Sequence, residues 1–226
     1  MLPIKASLLS MALPLLGQIP FEQLPAGARE EAQDIVQRAD FAFETRTVPK
    51  RVRLSMMENL FDHPRLGAAM WRTCQFVPGF YAFEHGGNEW SIDDTRGLKG
   101  SLRMVFRQPG LRVYLVEGRA EQGRLKTPFP VGAKMVSVYR YWEGPKGFES
   151  HLQTWTALDS ALLGFVAKPF KGYIRHRQDE FIAYINGNIA QFGEFAEASP
   201  QEFLGPLKRE GDPVALRQFE ALFSRK

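Results

Sequence analysis

Cysteine is almost absent. Cys74 is the only one among the 226 residues, which rules out an intramolecular disulfide and any multi-cysteine zinc motif. Its neighbour Trp71 points to a buried small hydrophobe rather than an activated thiolate. Histidine is scarce as well. His63, His85, His151 and His176 include no pair at the i, i+4 spacing that sets two metal ligands on one helix face. There is no GxSxG elbow, glycine-rich phosphate loop or helix with paired carboxylates, so neither metal nor cofactor is implied. Charge runs are missing too: 29 Lys plus Arg are scattered among 25 Asp plus Glu, a balance that does not ask for nucleic acid.

Long apolar runs are also lacking. The stretch from Ala6 to Gly17, which follows Lys5, is too short to cross a bilayer as a helix. Three readings of the first twenty residues stand together: a secretory signal, an uncleaved apolar helix lying on the body or on a membrane, and disorder. The small-x-small triplet Ala26-Gly27-Ala28 falls far beyond the apolar run, which weakens the first. A cytoplasmic or peripheral-membrane location is therefore expected, with export to the cell envelope if the run is a signal.

What is abundant is apolar and aromatic. Hydrophobic residues make up 44% of the chain and include 18 Phe, enough for a sizeable single core. Ala32, Ile35, Val36 and Ala39 predict a short amphipathic helix over 29–39. Phe41, Phe43 and Thr45 then alternate as a strand, which ends at Pro49. Two short helices follow, parted at Pro64, with Val52, Met56 and Leu60 on one buried face. Period two then holds through six segments: 80–85, 89–94, 98–107, 111–120, 135–142 and 148–157. The links HGGNE, QPGLR and EGPKG carry antiparallel hairpin chemistry, whereas EQGRLKTPFPVGAK reads as a loop. A long helix is predicted from Leu162 to Phe192, and one or two short helices complete the tail.

A strand leading into TVPKRVRLSMMENLFDHPRL, glycine-turned hairpins and a closing helix containing KPFKGYIRHRQDEFIAYI together resemble the START-related, polyketide-cyclase-like superfamily over Asp40 to Ala196. The resemblance implies an α+β helix-grip fold: a curved seven-stranded antiparallel sheet around a long C-terminal helix. Extra helices would stand at both ends, dividing the chain into 1–39, 40–197 and 198–226. It also implies an apolar cavity between sheet and helix, in a superfamily whose members bind lipids, sterols, polyketides or other hydrophobic molecules. Fold alone does not choose among carrier, enzyme and interaction module.

On that basis, ligand-wall positions are expected at Tyr81, Phe83, His85, Leu102, Met104, Phe106, Tyr139, His151 and Trp155 on the strands. Phe170, Ile174, Phe181 and Ile185 join them on the helix, in a stripe that continues through Ile189 and Phe192. Arg175, Gln178, Asp179 and Asn186 fall on the opposite face of that helix. Glu84, Tyr114 and Tyr141 are further polar groups set among aromatics. Pro169 is expected to bend the helix start into a flap, with Lys168, Lys171 and Arg175, beside Arg177, meeting anionic headgroups of a membrane surface. The bland counterpart is a set of ordinary solvated side chains. The leading expectation is a protein that binds, and moves, a lipid-like or sterol-like molecule. Two rivals are a cyclase-like enzyme using His85, His151 or a tyrosine as acid or base, and a cavity-free interaction module. The oligomeric state is not indicated.

Overall fold

Period-two alternation along the middle of the chain builds a sheet whose two faces bury different sets of side chains. The computed structural model describes residues 19–122, 130–159 and 171–223. Its strands are β1 (Phe41–Arg46), β2 (Tyr81–Gly86), β3 (Glu89–Asp93), β4 (Leu98–Gln108), β5 (Leu111–Ala120), β6 (Val131–Gly144) and β7 (Gly147–Leu158). They form one seven-stranded sheet in the order β1-β7-β6-β5-β4-β3-β2, so the first strand joins the meander beside the last. Every pairing is antiparallel. The β2–β3 hairpin turns through Gly87 and Asn88, both at positive φ (61° and 62°), the mirror-image turn whose twist suits paired strands. β6 begins at Val131, four residues earlier than alternation suggests, because Gly132 and Ala133 carry no side chain large enough to mark a face.

The helices are α1 (Ala26–Gln37), α2 (Leu54–Asp62), α3 (Pro64–Thr73), α4 (Lys171–Ala198), α5 (Pro200–Arg209) and α6 (Pro213–Phe223). Long α4 lies across the concave face, which gives the helix-grip arrangement. At Gly193 it approaches α2 so closely that a Cβ would stand 2.9 Å from the Met57 sulfur. Met57, Leu60, Phe61, Leu66, Met70 and Trp71 of α2 and α3 are buried in the same cluster as Ala190, Phe192 and Ala196 of α4.

The convex face is not left to water. Ile19, Leu24, Ala28, Ala32 and Ile35 pack over Leu111, Val113, Leu115, Val136, Val138, Trp155 and Ala157. Thus α1 and the short turn before it, Phe21–Gln23, form a second apolar layer. The run from Ala6 to Gly17 lies outside the described residues.

The tail joins the main core through Phe203, Leu207, Ala215 and Phe219. Two ion pairs hold it to α3, Arg65 to Asp212 at 2.8 Å and Arg72 to Glu210 at 2.7 Å. Asp212 also caps α6, accepting the Val214 and Ala215 N–H groups at 3.0 and 3.1 Å. Burial alone would raise its carboxyl. The Arg65 hydrogen bond and the two backbone donors outweigh that and hold it below the ordinary 3.8. A depressed carboxylate stabilises the fold above its unfolded pKa, and that stability is lost as pH falls through the native value. Asp212→Ala should therefore cost about 1–2 kcal/mol in urea unfolding at neutral pH. The deficit should shrink in acid; an equal deficit at both pH values would show that the charge is irrelevant.

Candidate ligand-binding cavity

Between α4 and the concave face the side chains do not meet everywhere. An inner cavity of about 320 Å³ remains. Its floor is Ile92, Leu102, Tyr114, Val116, Met135 and Leu152, with two from β5 and one each from β3, β4, β6 and β7. Leu60, Phe61 and Trp71 close one side, and Ile182, Ile185, Ile189 and Phe192 of α4 form the roof. Phe80, Ile92, Leu102, Val116, Met135, Ile182 and Ile185 also border a second space of about 650 Å³. Leu98, Ala120, Val131, Leu158 and Phe181 add apolar walls to that outer space, with Arg96, Lys99, Arg177 and Glu180 around it.

A small polar group is set into the inner wall. The Tyr139 hydroxyl donates to Asn186 Oδ1 at 2.5 Å and lies 3.0 Å from Ser150 Oγ. Ser150 Oγ reaches Thr47 Oγ1, just after β1, at 3.2 Å, so the group links that segment with β6, β7 and α4. Ser137 and Thr154 are cross-strand partners beside this group and also line the cavity. Nearby, the Tyr114 hydroxyl donates to the Phe61 carbonyl at 3.2 Å. Burial pushes the phenols of Tyr114, Tyr139 and Tyr141 well above their ordinary value. Below the cavity, Arg112 is 2% exposed, bonds Asp62 at 2.9 Å and donates to the Gln108 carbonyl at 2.6 Å. This partly buried pair clamps the end of α2 to β5.

The expected wall residues divide by face. Leu102, Tyr139 and Ile185 line the inner cavity, Phe181 lines the outer one, and Met104 is buried on the concave side without lining either. Six expectations are overturned because those side chains point the other way. Tyr81 and Phe83 are 39% and 51% exposed on the outer face of edge strand β2, while Ala82, between them, points inward. His85 is exposed and bonds Ser91 Oγ at 2.9 Å. His151 lies on the convex face, 3.3 Å from Glu44. Trp155 packs under α1. Phe106 would share a face with Leu102 and Met104 in a regular strand, but a bulge between Met104 and Phe106 inserts one residue and turns it outward. Phe170, Lys168 and the Pro169 flap lie outside the described residues, as do the side chains of Ile174 and Lys171. Arg175 is exposed and sits 3.7 Å from Asp179.

The helix stripe is rotated from its expected position. Asn186 is 1% exposed and faces inward rather than away, and Gln178 donates to Thr156 Oγ1 of the sheet at 2.7 Å. Reading by hydrophobicity centred the stripe on Phe181, and two polar residues on the buried side went unseen. Among the described residues no group of three potential ligands could hold a metal ion. Cys74 is half-buried, and burial pushes its thiol up to about 11.

No protein-family model matches the chain and no curated protein does. Solved structures similar in fold include a conserved protein from Geobacillus kaustophilus, 12% identical over 66% of this chain and 93% of that one, with TM-score 0.42. Ara h 8.0201 is 9% identical over 70% and 98%, with TM-score 0.45. The di-domain ARO/CYC StfQ from the steffimycin biosynthetic pathway is 14% identical over 77% of this chain and 56% of its own, with TM-score 0.46. Likeness at this level carries no residue role and no substrate.

The raised phenols have a measurable consequence. A tyrosine whose native pKa lies above its ordinary 10.0 contributes stability that is present below that pH and lost as pH rises toward the native value. In an alkaline absorbance titration, Tyr114, Tyr139 and Tyr141 should ionise only with unfolding, after the exposed tyrosines. Tyr139→Phe should remove one of these late transitions and cost about 1–2 kcal/mol, because it takes the hydroxyl away from a buried amide oxygen. Smooth ionisation of all tyrosines in the folded protein would contradict the assignment.

Proposed function

We propose that this helix-grip protein binds a lipid-like hydrophobic molecule between its sheet and α4, and carries it. The observation that supports this is the size and lining of the space under the helix. Protein interiors are packed nearly as densely as organic crystals, with few voids larger than a water molecule. An apolar space of about 320 Å³ bordering another of about 650 Å³ is of the size that ligand pockets have. Filling it with ligand removes apolar surface from water at about 25 cal/mol per Å² on both partners. The hydrophobic effect alone then supplies affinity, and a few polar groups set orientation.

The chemistry of the wall favours binding over acid–base turnover in the same cavity. Among the described residues, the inner wall offers tyrosine, serine, threonine and asparagine but neither histidine nor carboxylate. The phenol of Tyr139 is driven away from neutral pH by burial, and His85 and His151 occupy the other face of the sheet. These groups give hydrogen bonds rather than proton transfer. A filled core, as an interaction module would have, does not accord with the open space.

Transfer between membranes is the finer part of the proposal. The first turns of α4 carry Arg175, His176 and Arg177, each paired with Asp179 or Glu180 along the helix. Such pairs leave little net charge for a lipid surface, so membrane contact would depend on Lys168 and Lys171 as well. No described helix is long and apolar enough to cross a membrane.

The test is mass spectrometry of organic extracts from gently purified protein, wild type against Leu102→Trp, which places an indole in the cavity. A stoichiometric apolar compound should leave the wild type and be reduced several-fold in the variant, with matched thermal melts. Equal extracts from both, or none from either after incubation with liposomes, would count against a ligand in this cavity. Acceleration of a fluorescent fatty acid between vesicle populations would report the transfer step.

A further inference from the structure

The polar group in the inner wall is incomplete. Tyr139 and Ser150 both lie against Asn186 Oδ1, at 2.5 and 3.3 Å, which commits that oxygen to the sheet. The other end of the amide, Nδ2, is buried and has no hydrogen-bond partner in the protein. Thr154 Oγ1 is buried without a partner as well. Asn186 and Thr154 are 1% and 2% exposed, and both line the inner cavity. Buried donors are almost always satisfied, and leaving one unmade is costly. Both groups belong to residues that line one apolar cavity, Asn186 from the roof and Thr154 from the floor, and neither is satisfied within the protein.

We infer that the inner cavity takes an oxygen-bearing apolar ligand, a ketone, ester or alcohol on a hydrocarbon skeleton, whose oxygen accepts from Asn186 Nδ2 beside the Thr154 hydroxyl. This rests on the ligand-binding reading above and adds the functional group and the end of the cavity where it sits. Asn186 supplies two N–H donors and no acceptor at that end, because its oxygen is held by Tyr139. The site therefore selects a lone pair. A carboxylate is not the matching group, since the inner wall among the described residues carries no cation to balance its charge. Orientation follows: the oxygen lies deep, beneath the middle of α4, and the apolar remainder extends toward Phe80, Ile92 and Phe181.

Fluorene and fluorenone test this, being rigid molecules of nearly equal shape that differ by one carbonyl. Their dissociation constants are measured by quenching of intrinsic tryptophan fluorescence, and the quantity read is the ratio of the two. Comparing that ratio between proteins cancels their different solubilities in water. Three proteins are needed: wild type, Thr154→Val, and Tyr139→Phe/Asn186→Leu, in which both members of the Tyr139–Asn186 hydrogen bond become apolar together while Ser150 Oγ keeps Thr47 Oγ1 as its partner, with matched thermal melts as the check on folding. The preference for fluorenone should fall roughly tenfold in the double variant and several-fold in Thr154→Val. An unchanged ratio across all three overturns the inference while leaving hydrophobic binding intact. Failure of both compounds to bind the wild type would overturn the ligand-binding reading and this inference with it.

Discussion

Both faces of the seven-stranded sheet are apolar, and neither can be left to water. That constraint organises the rest of the chain. On the convex side, Leu111, Val113, Leu115, Val136 and Val138 form a continuous patch that, among the described residues, α1 and the segment before it cover. On the concave side the surface is larger and curved, and α4 alone cannot fill it. Helices α2 and α3 wedge into one end with Phe61, Met70 and Trp71, and α5 and α6 buttress them from outside. The cavity is the space left between the concave face, the roof residues of α4 and the wedge of α2 and α3.

Within that space, placement of polar groups is economical. Tyr139, Ser150, Thr47 and the Asn186 Oδ1 atom are hydrogen-bonded together where β6, β7, α4 and the residue after β1 come together. A hydrogen-bonded junction of this kind fixes how α4 sits on the sheet, because sliding or rotating the helix would strand several buried groups at once. The same register carries Ile182, Ile185 and Ile189 to the roof. Helix position and cavity shape thus share one determinant.

Much of the architecture was legible from the residues. Strand segments, the hairpin turns at Gly87 and Gly110, the break before Pro64 and the closing helix all follow from alternation and turn chemistry. Side-chain direction was legible only where it did not depend on knowing which face is concave. On β2 the exposed set is Tyr81 and Phe83, while the inward position is small Ala82, so the larger aromatics misled. On β4 a single bulged residue reversed Phe106 relative to Met104, and nothing in its hydrophobicity marks that insertion. Asn186 was unreadable for a different reason: an isolated asparagine on an amphipathic helix looks solvated unless its tyrosine partner, 47 residues away in the chain, is known.

By itself the sequence determined the class of elements, their order and the antiparallel pairing of neighbours, because those depend on periodicity and on local backbone chemistry. Resemblance in element order then led to the helix-grip arrangement. Only the tertiary structure decided which face of each strand is enclosed, that α1 seals the convex side, and that His85 and His151 stand away from the cavity. It also decided that Asn186 and Thr154 both line the cavity, one on the helix and one on the sheet. The reason is the range of the interactions. Alternation acts over two residues and turn chemistry over four, whereas curvature, bulges and buried hydrogen bonds depend on partners brought together from distant parts of the chain.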